Sequence, residues 1–424
     1  MKEKIIIWGI GKNFELSYHA LKQRYEIVAL TDSNNTLWNT VINDCIVVSP
    51  FDIAQYEYSY IIVTPQGKGR NDIIRTLYEL NVPLQKIKSL PNTVLSPFLI
   101  DPLFFSNLDT EDKKRLLFKN NVELVYIELN SKCNRQCWYC PNSFIDRHSQ
   151  NISMPQELVS KISTELASID YSGDITFSYF NEPLIDENLF SNIEIIRSKA
   201  PKAYIHFATN GDYLTHDILV RLERLGINRI IISNYILNNK GDLYTYAKAE
   251  SQIAAKAESL GVKPKYYTTP NDISCLACGY FGNMNVIMNC YNFNEWGYNR
   301  AGTLNGIMKE TGVRQQVCES PYHSCTIAYT GDVVYCGQIH CDFEKHRKYI
   351  VGNANKETIF DIFGGEKMNE IRKKTLCDVN SSPCTGCSAD TISSLLIPPN
   401  GPFRLRPRDA AVYSDEFVVD CFER

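Results

Sequence analysis

The stretch Glu128-Leu129-Asn130-Ser131-Lys132-Cys133-Asn134-Arg135-Gln136-Cys137-Trp138-Tyr139-Cys140-Pro141-Asn142 sets three cysteines at a C-x3-C-x2-C spacing, with an aromatic residue just before the last thiol. Thiolates are the usual ligands of iron–sulfur clusters, and a cubane wants four. A local group of three leaves one iron without a protein ligand, open to a small molecule that donates a nitrogen and an oxygen. The competing reading is a zinc knuckle or a set of buried thiols. A zinc site normally pairs two short-spaced Cys or His couples, and no such couple stands beside this triplet.

Outward from the triplet, the chain reads as a soluble α/β protein of several domains. Its 424 residues exceed one ordinary core. Hydrophobic content of 44% with 22% charged residues is that of a globular protein. The apolar stretch at the start is too short for a signal peptide, and no run reaches the roughly 18 residues of a membrane span. Fifteen cysteines in such a chain fit a reducing, cytoplasmic setting and read as cluster ligands or reactive thiols. A net charge of −4 gives no global drive toward nucleic acid.

Residues 1–100 form a first unit. Lys4 to Trp8 reads as a buried strand, followed by Gly9-Ile10-Gly11 and a helical stretch from Phe14 to Arg24. A second strand, Glu26 to Leu30, ends next to Asp32; Tyr60 to Pro65 and Asp72 to Leu80 add a strand and a helix. Alternation of this kind implies a parallel, doubly wound sheet. The glycines and Asp32 sit where a Rossmann turn meets a dinucleotide, but Phe14 or Glu15 stands near the place of the third glycine. A docking or structural role suits this domain equally well. It resembles the small Rossmann-like domains at the front of sugar acyltransferases and other carbohydrate-modifying proteins.

From 121 to 310 the pattern restarts, with Leu124–Leu129 as a strand that runs straight into the cysteine loop. Further strands read at Ile175–Ser178, Tyr204–Thr209, Arg229–Ser233, Pro264–Thr268 and Asn285–Met288, with helices at Leu189–Ser198, Thr215–Leu225 and Tyr244–Leu260. Six such units make a partial (β/α)6 barrel whose chemistry belongs at the C-terminal strand ends.

The C-x3-C-x2-C run resembles the signature of the radical S-adenosylmethionine (SAM) superfamily. The resemblance implies that Cys133, Cys137 and Cys140 hold a catalytic [4Fe–4S] cluster whose open iron chelates SAM, and that a 5′-deoxyadenosyl radical takes hydrogen from an unactivated C–H bond. Ser178-Tyr179-Phe180-Asn181-Glu182-Pro183 is similar to the family's Gly-Glu-Pro segment, with Asn181 in place of glycine. This implies that Glu182 helps hold the methionine ammonium. By the same resemblance Asn210, in Thr209-Asn210-Gly211, and Ser233 belong to the SAM site, Ser233 at the ribose. Arg300, in Asn299-Arg300-Ala301-Gly302, faces the SAM carboxylate or pairs with a structural acid.

Residues 311–395 carry a second cysteine set: Cys318, then twelve residues, Gly331, four residues, Cys336, and later Cys384-Thr385-Gly386-Cys387. The Thr330-Gly331-Asp332 turn before Val333-Val334-Tyr335 is a hairpin signal. Two hairpin thiols and a distant C-x2-C couple supply four ligands to one closed site, which four-cysteine zinc would also accept. The arrangement resembles the SPASM or twitch extension. Because Ser388-Ala389-Asp390 offers no further cysteine, the resemblance implies one auxiliary [4Fe–4S] cluster, as in the twitch dehydrogenases of aminocyclitol biosynthesis. Residues 396–424 form a tail.

Of the remaining thiols, Cys275, Cys278, Cys290 and Cys325 are candidate hydrogen donors to a substrate radical, against the commoner role of small buried hydrophobes. Cys341 or Cys325 could replace an auxiliary ligand, and Cys377 and Cys421 complete the thiols between the barrel and the terminus. The expected function is oxidation or epimerisation of a carbohydrate, polyol or sugar nucleotide, fed by an external one-electron reductant of flavodoxin or ferredoxin type. Modification of a ribosomal peptide and a zinc-stabilised binding protein are the alternatives.

Overall fold

The computed structural model describes most of residues 2–89 and 108–377, together with Leu103, Cys384, Cys387 and Ala389. Cys421 and the tail lie outside the described residues, as do the side chain of Cys377 and parts of the two front helices.

The front domain is a six-stranded sheet. Its strands are β1 (Lys4–Trp8), β2 (Glu26–Thr31), β3 (Val41–Ile42), β4 (Cys45–Val48), β5 (Tyr60–Val63) and β6 (Ile87–Ser89), in the order β3-β4-β2-β1-β5-β6. All pairings are parallel except the β3–β4 hairpin. Ile5, Ile6 and Ile7 are all fully buried, the continuous apolar run of a strand covered on both faces.

A second sheet builds the barrel. It contains β7 (Leu124–Ile127), β8 (Asp174–Thr176), β9 (Tyr204–Thr209), β10 (Arg229–Ser233), β11 (Lys265–Thr268), β12 (Ser274–Phe281), β13 (Met284–Tyr291), β14 (Ser324–Ile327), β15 (Asp332–Val334) and β16 (Ile350–Asn353). The order is β11-β12-β13-β10-β9-β8-β7-β14-β15-β16. Six of these strands, β14-β7-β8-β9-β10-β13, are mutually parallel.

The parallel set differs from the expected one at both ends. Lys265–Thr268 is not a fifth barrel strand: it pairs antiparallel with β12, an eight-residue strand that returns antiparallel onto β13. The run Ser274-Cys275-Leu276-Ala277-Cys278 has no polar alternation and so gives no period-2 signal. The sixth parallel strand is β14, which opens the cysteine-rich C-terminal region.

Helices cover the barrel sheet where their sequences cap well. Among them are α1 (Glu111–Asn121), α2 (Gln156–Ser168), α3 (Leu189–Lys199), α4 (His216–Arg224) and α5 (Tyr246–Leu260). Thr110, Thr215 and Thr245 accept backbone N–H groups at the starts of α1, α4 and α5, and Gly261 in a left-handed conformation ends α5. Their buried faces, with Leu158, Ile193, Leu219 and Ile253, close on Ile127, Ile175, Phe207 and Ile232 of the strands. α6 (Ile359–Phe363) and α7 (Glu366–Cys377) follow the C-terminal hairpin. Phe118 of α1 meets Phe360 and Phe363 of α6 edge-on at 5.3 Å each, so the C-terminal elements pack onto the barrel.

Candidate active site

Six segments around the cysteine loop each follow the C-terminal end of a parallel strand. The triplet follows β7, Glu182 follows β8, Asn210 follows β9, Tyr235 follows β10, Phe293 follows β13 and Tyr329 follows β14. This is the end where parallel barrels collect their chemistry.

The Cys140 N–H donates to the Cys137 carbonyl at 2.9 Å, a turn that swings the two thiols to one side. The three thiols lie within electrostatic reach of one another, and burial pushes the Cys133 thiol up to about 12 and raises Cys137 and Cys140. Buried thiols resist ionising without a cation, and a metal centre supplies that charge. Among the described residues no three His, Cys, Asp or Glu side chains gather around one metal-ion position. Thiolates of a cubane, by contrast, each take a different iron.

Glu182 lies beside the triplet and is nearly fully buried. Its carboxylate accepts the Asn210 N–H and the Thr209 hydroxyl at 2.7 Å each, and the Leu184 N–H at 3.0 Å. Burial nevertheless raises its pKa against these donors, so an added cation would find a partner waiting. Asn210 also binds Asn134 at 2.7 Å and reaches the Cys133 sulfur at 3.9 Å. Arg135 pairs with Asp212, its Nε 2.7 Å from the carboxylate. The Glu182 and Asn210 loops thereby clamp the cysteine loop.

An aromatic wall stands on the other side. Tyr139 stacks on Phe293 with centroids 3.6 Å apart and planes 10° apart, and Tyr235 lies 5.9 Å from Tyr139. Burial raises the pKa of Tyr235, and Ser233 and all three thiols lie near enough to act on it. Trp138 Nε1, the Tyr179 hydroxyl and Asn181 Nδ2 are buried without a hydrogen-bond partner. Buried orphan donors are costly unless something accepts from them, and a polar cofactor fits that need.

Arg300 meets the Gln338 amide at 3.3 Å rather than an acid, and lies over the Phe180 and Tyr298 rings. Its charge offsets part of the rise that burial gives the Cys140 thiol. Arg300, Ala301 and Gly302 all have positive φ, a strained run of the kind found at functional loops.

The candidate thiol donors are not gathered at this site. Cys275 and Cys290 are direct partners across β12 and β13, buried in the core, while Cys278 packs with Leu276 and Ile287 in a separate cluster. Three residues apart on a strand, Cys275 and Cys278 point to opposite faces, so this C-x2-C cannot hold one metal. Cys325 is buried early in β14, opposite Val125, where Glu165 and Arg372 are its charged neighbours.

At the back, Cys336 lies within electrostatic reach of Cys318, Cys384 and Cys387, and burial holds its thiol well above the usual range. The Cys387 N–H donates to the Cys384 carbonyl at 2.9 Å, the same turn as in the triplet. Tyr335 Oη stands 3.6 Å from the Cys384 sulfur. Cys341 is buried within reach of the charges of Glu128, Asp332, Asp342 and Arg147.

One network has no counterpart in the sequence reading. Glu128, fully buried, takes both terminal nitrogens of Arg147 at 2.9 Å, the Phe180 N–H at 3.1 Å and the Tyr329 N–H at 3.4 Å. Arg147 Nε stands 3.0 Å from Asp342. The signal was an acid at the end of an apolar strand, which demands a buried cation.

In the front domain, Asp32 accepts the Ile10 N–H at 2.7 Å and the Asn34 N–H at 2.8 Å. The acid expected at a ribose is turned onto the glycine loop itself.

Comparisons with known proteins agree with this layout. Family models match residues 1–88 (C2185-like, N-terminal), 127–250 (Radical SAM superfamily) and 318–388 (SPASM, an iron–sulfur cluster-binding domain). The chain is therefore an enzyme of the radical SAM superfamily that carries a SPASM iron–sulfur domain. Its cofactors are SAM, a catalytic [4Fe–4S] cluster and auxiliary iron–sulfur. The S-adenosyl-L-methionine-dependent 2-deoxy-scyllo-inosamine dehydrogenase of Niallia circulans is 26% identical over 250 residues, covering 59% of this chain and 85% of that protein. A probable GTP 3′,8-cyclase of Methanocaldococcus jannaschii is 30% identical over 125 residues, 28% of this chain and 39% of that one. The crystal structure of BtrN with AdoMet and 2-DOIA aligns at 24% identity over 63% of this chain and 92% of that chain, with a TM-score of 0.46. Among the described residues no helix is long and apolar enough to cross a membrane.

Proposed function

We propose that the protein is a radical SAM dehydrogenase that oxidises a secondary alcohol on a polyol, cyclitol or sugar-type substrate. The observation that carries this reading is that Cys318, Cys384 and Cys387 all lie within electrostatic reach of Cys336. Four thiols leave an auxiliary cubane no open iron for substrate, which suits an electron acceptor. The activity of the Niallia circulans relative, a dehydrogenase, points the same way.

In this reading Cys133, Cys137 and Cys140 hold the catalytic cluster. Together with SAM that cluster supplies a 5′-deoxyadenosyl radical, which removes hydrogen from a C–H bond. The chain's own groups bind, orient and shield. Glu182 offers its carboxylate to the methionine ammonium, fixed by Thr209, Asn210 and Leu184. Tyr139, Tyr235 and Phe293 exclude water from the cluster face, and Arg300 supplies a positive charge beside Cys140. An external flavodoxin- or ferredoxin-type protein is the proposed reductant.

The test uses reduced, anaerobic holoenzyme with SAM and a panel of cyclitols and sugars deuterated at each carbinol carbon. The expected result is one deuterium in 5′-deoxyadenosine and a ketone product. A product of unchanged oxidation level, labelled from heavy water at the reacting carbon, would establish epimerisation instead.

A further inference from the structure

The inner face of the barrel sheet carries a polar row far from the cysteine loop. Thr176 in β8 is the register partner of His206 in β9, His206 of Arg229 in β10, Arg229 of Asn285 in β13, and Asn285 of Tyr280 in β12. Partners in register point to one face of a sheet. The chain neighbours Ile205, Ile230 and Val286 belong to the core that the helices cover, so the row faces inward. Arg229 opens β10 and Ser233 closes it. Four steps of about 3.3 Å put the row roughly 13 Å from the strand end that leads to Tyr235.

Arg229 is the unmatched charge of this row. It is 8% exposed, its Nε is buried without a hydrogen-bond partner, and its guanidinium carbon lies over the Tyr204 ring at 5.2 Å. Among the described residues no carboxylate pairs with it. Asp174, the acid at the start of β8, stands instead 3.6 Å from His206 Nε2. That contact turns the other ring nitrogen away from the acid, and His206 Nδ1 and Asn285 Oδ1 are both buried without a partner. A half-turn of the Asn285 amide exchanges its oxygen for an NH2 donor. The Asp174 and His206 side chains keep 18% and 14% of their surface in solvent, so the row is reached from the N-terminal mouth of the barrel.

A buried guanidinium without an acid is costly, and an ion that brings the acid relieves that cost. The planar fork of Arg matches two oxygens of a phosphate or carboxylate, which a neutral hydroxyl cannot do. We infer that Arg229, His206 and Asn285 form an oxyanion seat, which takes a phosphate or carboxylate group at the mouth opposite the catalytic loop. The seat does not depend on which reaction the cluster end performs.

The test titrates inorganic phosphate into anaerobic holoenzyme with SAM bound, in buffer without phosphate or sulfate, and reads calorimetry and the thermal denaturation midpoint. Wild type is expected to bind one phosphate per chain saturably and to gain in midpoint. Arg229→Gln should weaken that binding tenfold or more, and Arg229→Lys, which keeps a point charge, should recover part of it. Asn285→Asp separates binding from folding, because it places a carboxylate beside Arg229. It is expected to raise the midpoint without phosphate and to abolish phosphate binding, and it serves as the second variant should Arg229→Gln fail to accumulate. The same titrations with a hexose 1-phosphate tell the source of the group. Binding tighter than inorganic phosphate, and equally weakened by Arg229→Gln, would mean that the oxyanion arrives on a sugar; equal binding would mean free phosphate. No saturable phosphate binding in wild type, or equal affinity in wild type and Arg229→Gln or Asn285→Asp, would overturn the seat. Since no turnover is read, that result would leave the dehydrogenase reading intact.

Discussion

Cys137/Cys140 and Cys275/Cys278 share one spacing and differ in everything that follows from it. In the first couple the backbone turns between the thiols; in the second it runs extended through β12. A turn places residues i and i+3 on one side, whereas a strand sends them to opposite faces. Cys384/Cys387 makes the same turn as the first couple. Whether C-x2-C is a ligand pair is thus decided by the backbone, and what marks the turns is the surrounding sequence. Pro141 and Gly386 flank or fill the turn couples, while Leu276-Ala277 fills the strand couple.

The sharpest break of this contrast compares two double variants. Cys137→Ala with Cys140→Ala should lose about half the iron of anaerobically reconstituted protein, one cubane of two, and all reductive SAM cleavage. Cys275→Ala with Cys278→Ala should keep full iron and cleavage. Iron loss in the second variant would mean that β12 is remodelled in the holoenzyme.

Cys384→Ala separates the two turn couples. Hydrogen abstraction and SAM cleavage are expected to survive while net oxidation is lost, which a deuterium-transfer assay and a ketone assay read separately. Survival of ketone formation would remove the auxiliary site from the reaction.

Glu182→Gln tests the carboxylate that lies beside the triplet. Losing a charge-assisted bond worth about 1.5–3 kcal/mol should weaken SAM binding roughly tenfold or more, with iron unchanged. Because burial raises the Glu182 pKa, wild-type SAM affinity should start to fall at a higher pH than for an ordinary glutamate as the solution is acidified. The Gln variant should show no such slope in calorimetry between neutral pH and the wild-type inflection.

The smallest effect is expected from Cys275→Ala alone. Trimming one buried sulfur from a packed core costs about 1 kcal/mol, visible as a lower denaturation midpoint with no change in spectrum.

The cysteine sets stood out because cluster chemistry constrains spacing, and the strand ends because apolar runs stop at polar loops. β12 was not legible, since Cys and Ala fill its buried positions without alternation. Glu128–Arg147–Asp342 escaped because its members are separated by up to 214 positions in the chain and nothing local links them. Asp32 was read correctly as a strand-end acid, but its partner, the Ile10 amide 22 residues earlier, depends on how the loop folds back. The thiol donors were sought by elimination among leftover cysteines, and elimination carries no geometry.

The placement of β14 bears on how this enzyme can be divided. It lies within the region matched by the iron–sulfur domain model, yet its four residues pair in parallel with β7, the strand that leads into the catalytic loop. A barrel cut off before Cys318 would expose the edge of β7 and strip Glu128 of its Tyr329 contact, inviting edge-to-edge association. Sequence modules and folding units therefore do not coincide here. The auxiliary domain is the barrel's last wall, and chimeras that exchange it must carry a matching β14.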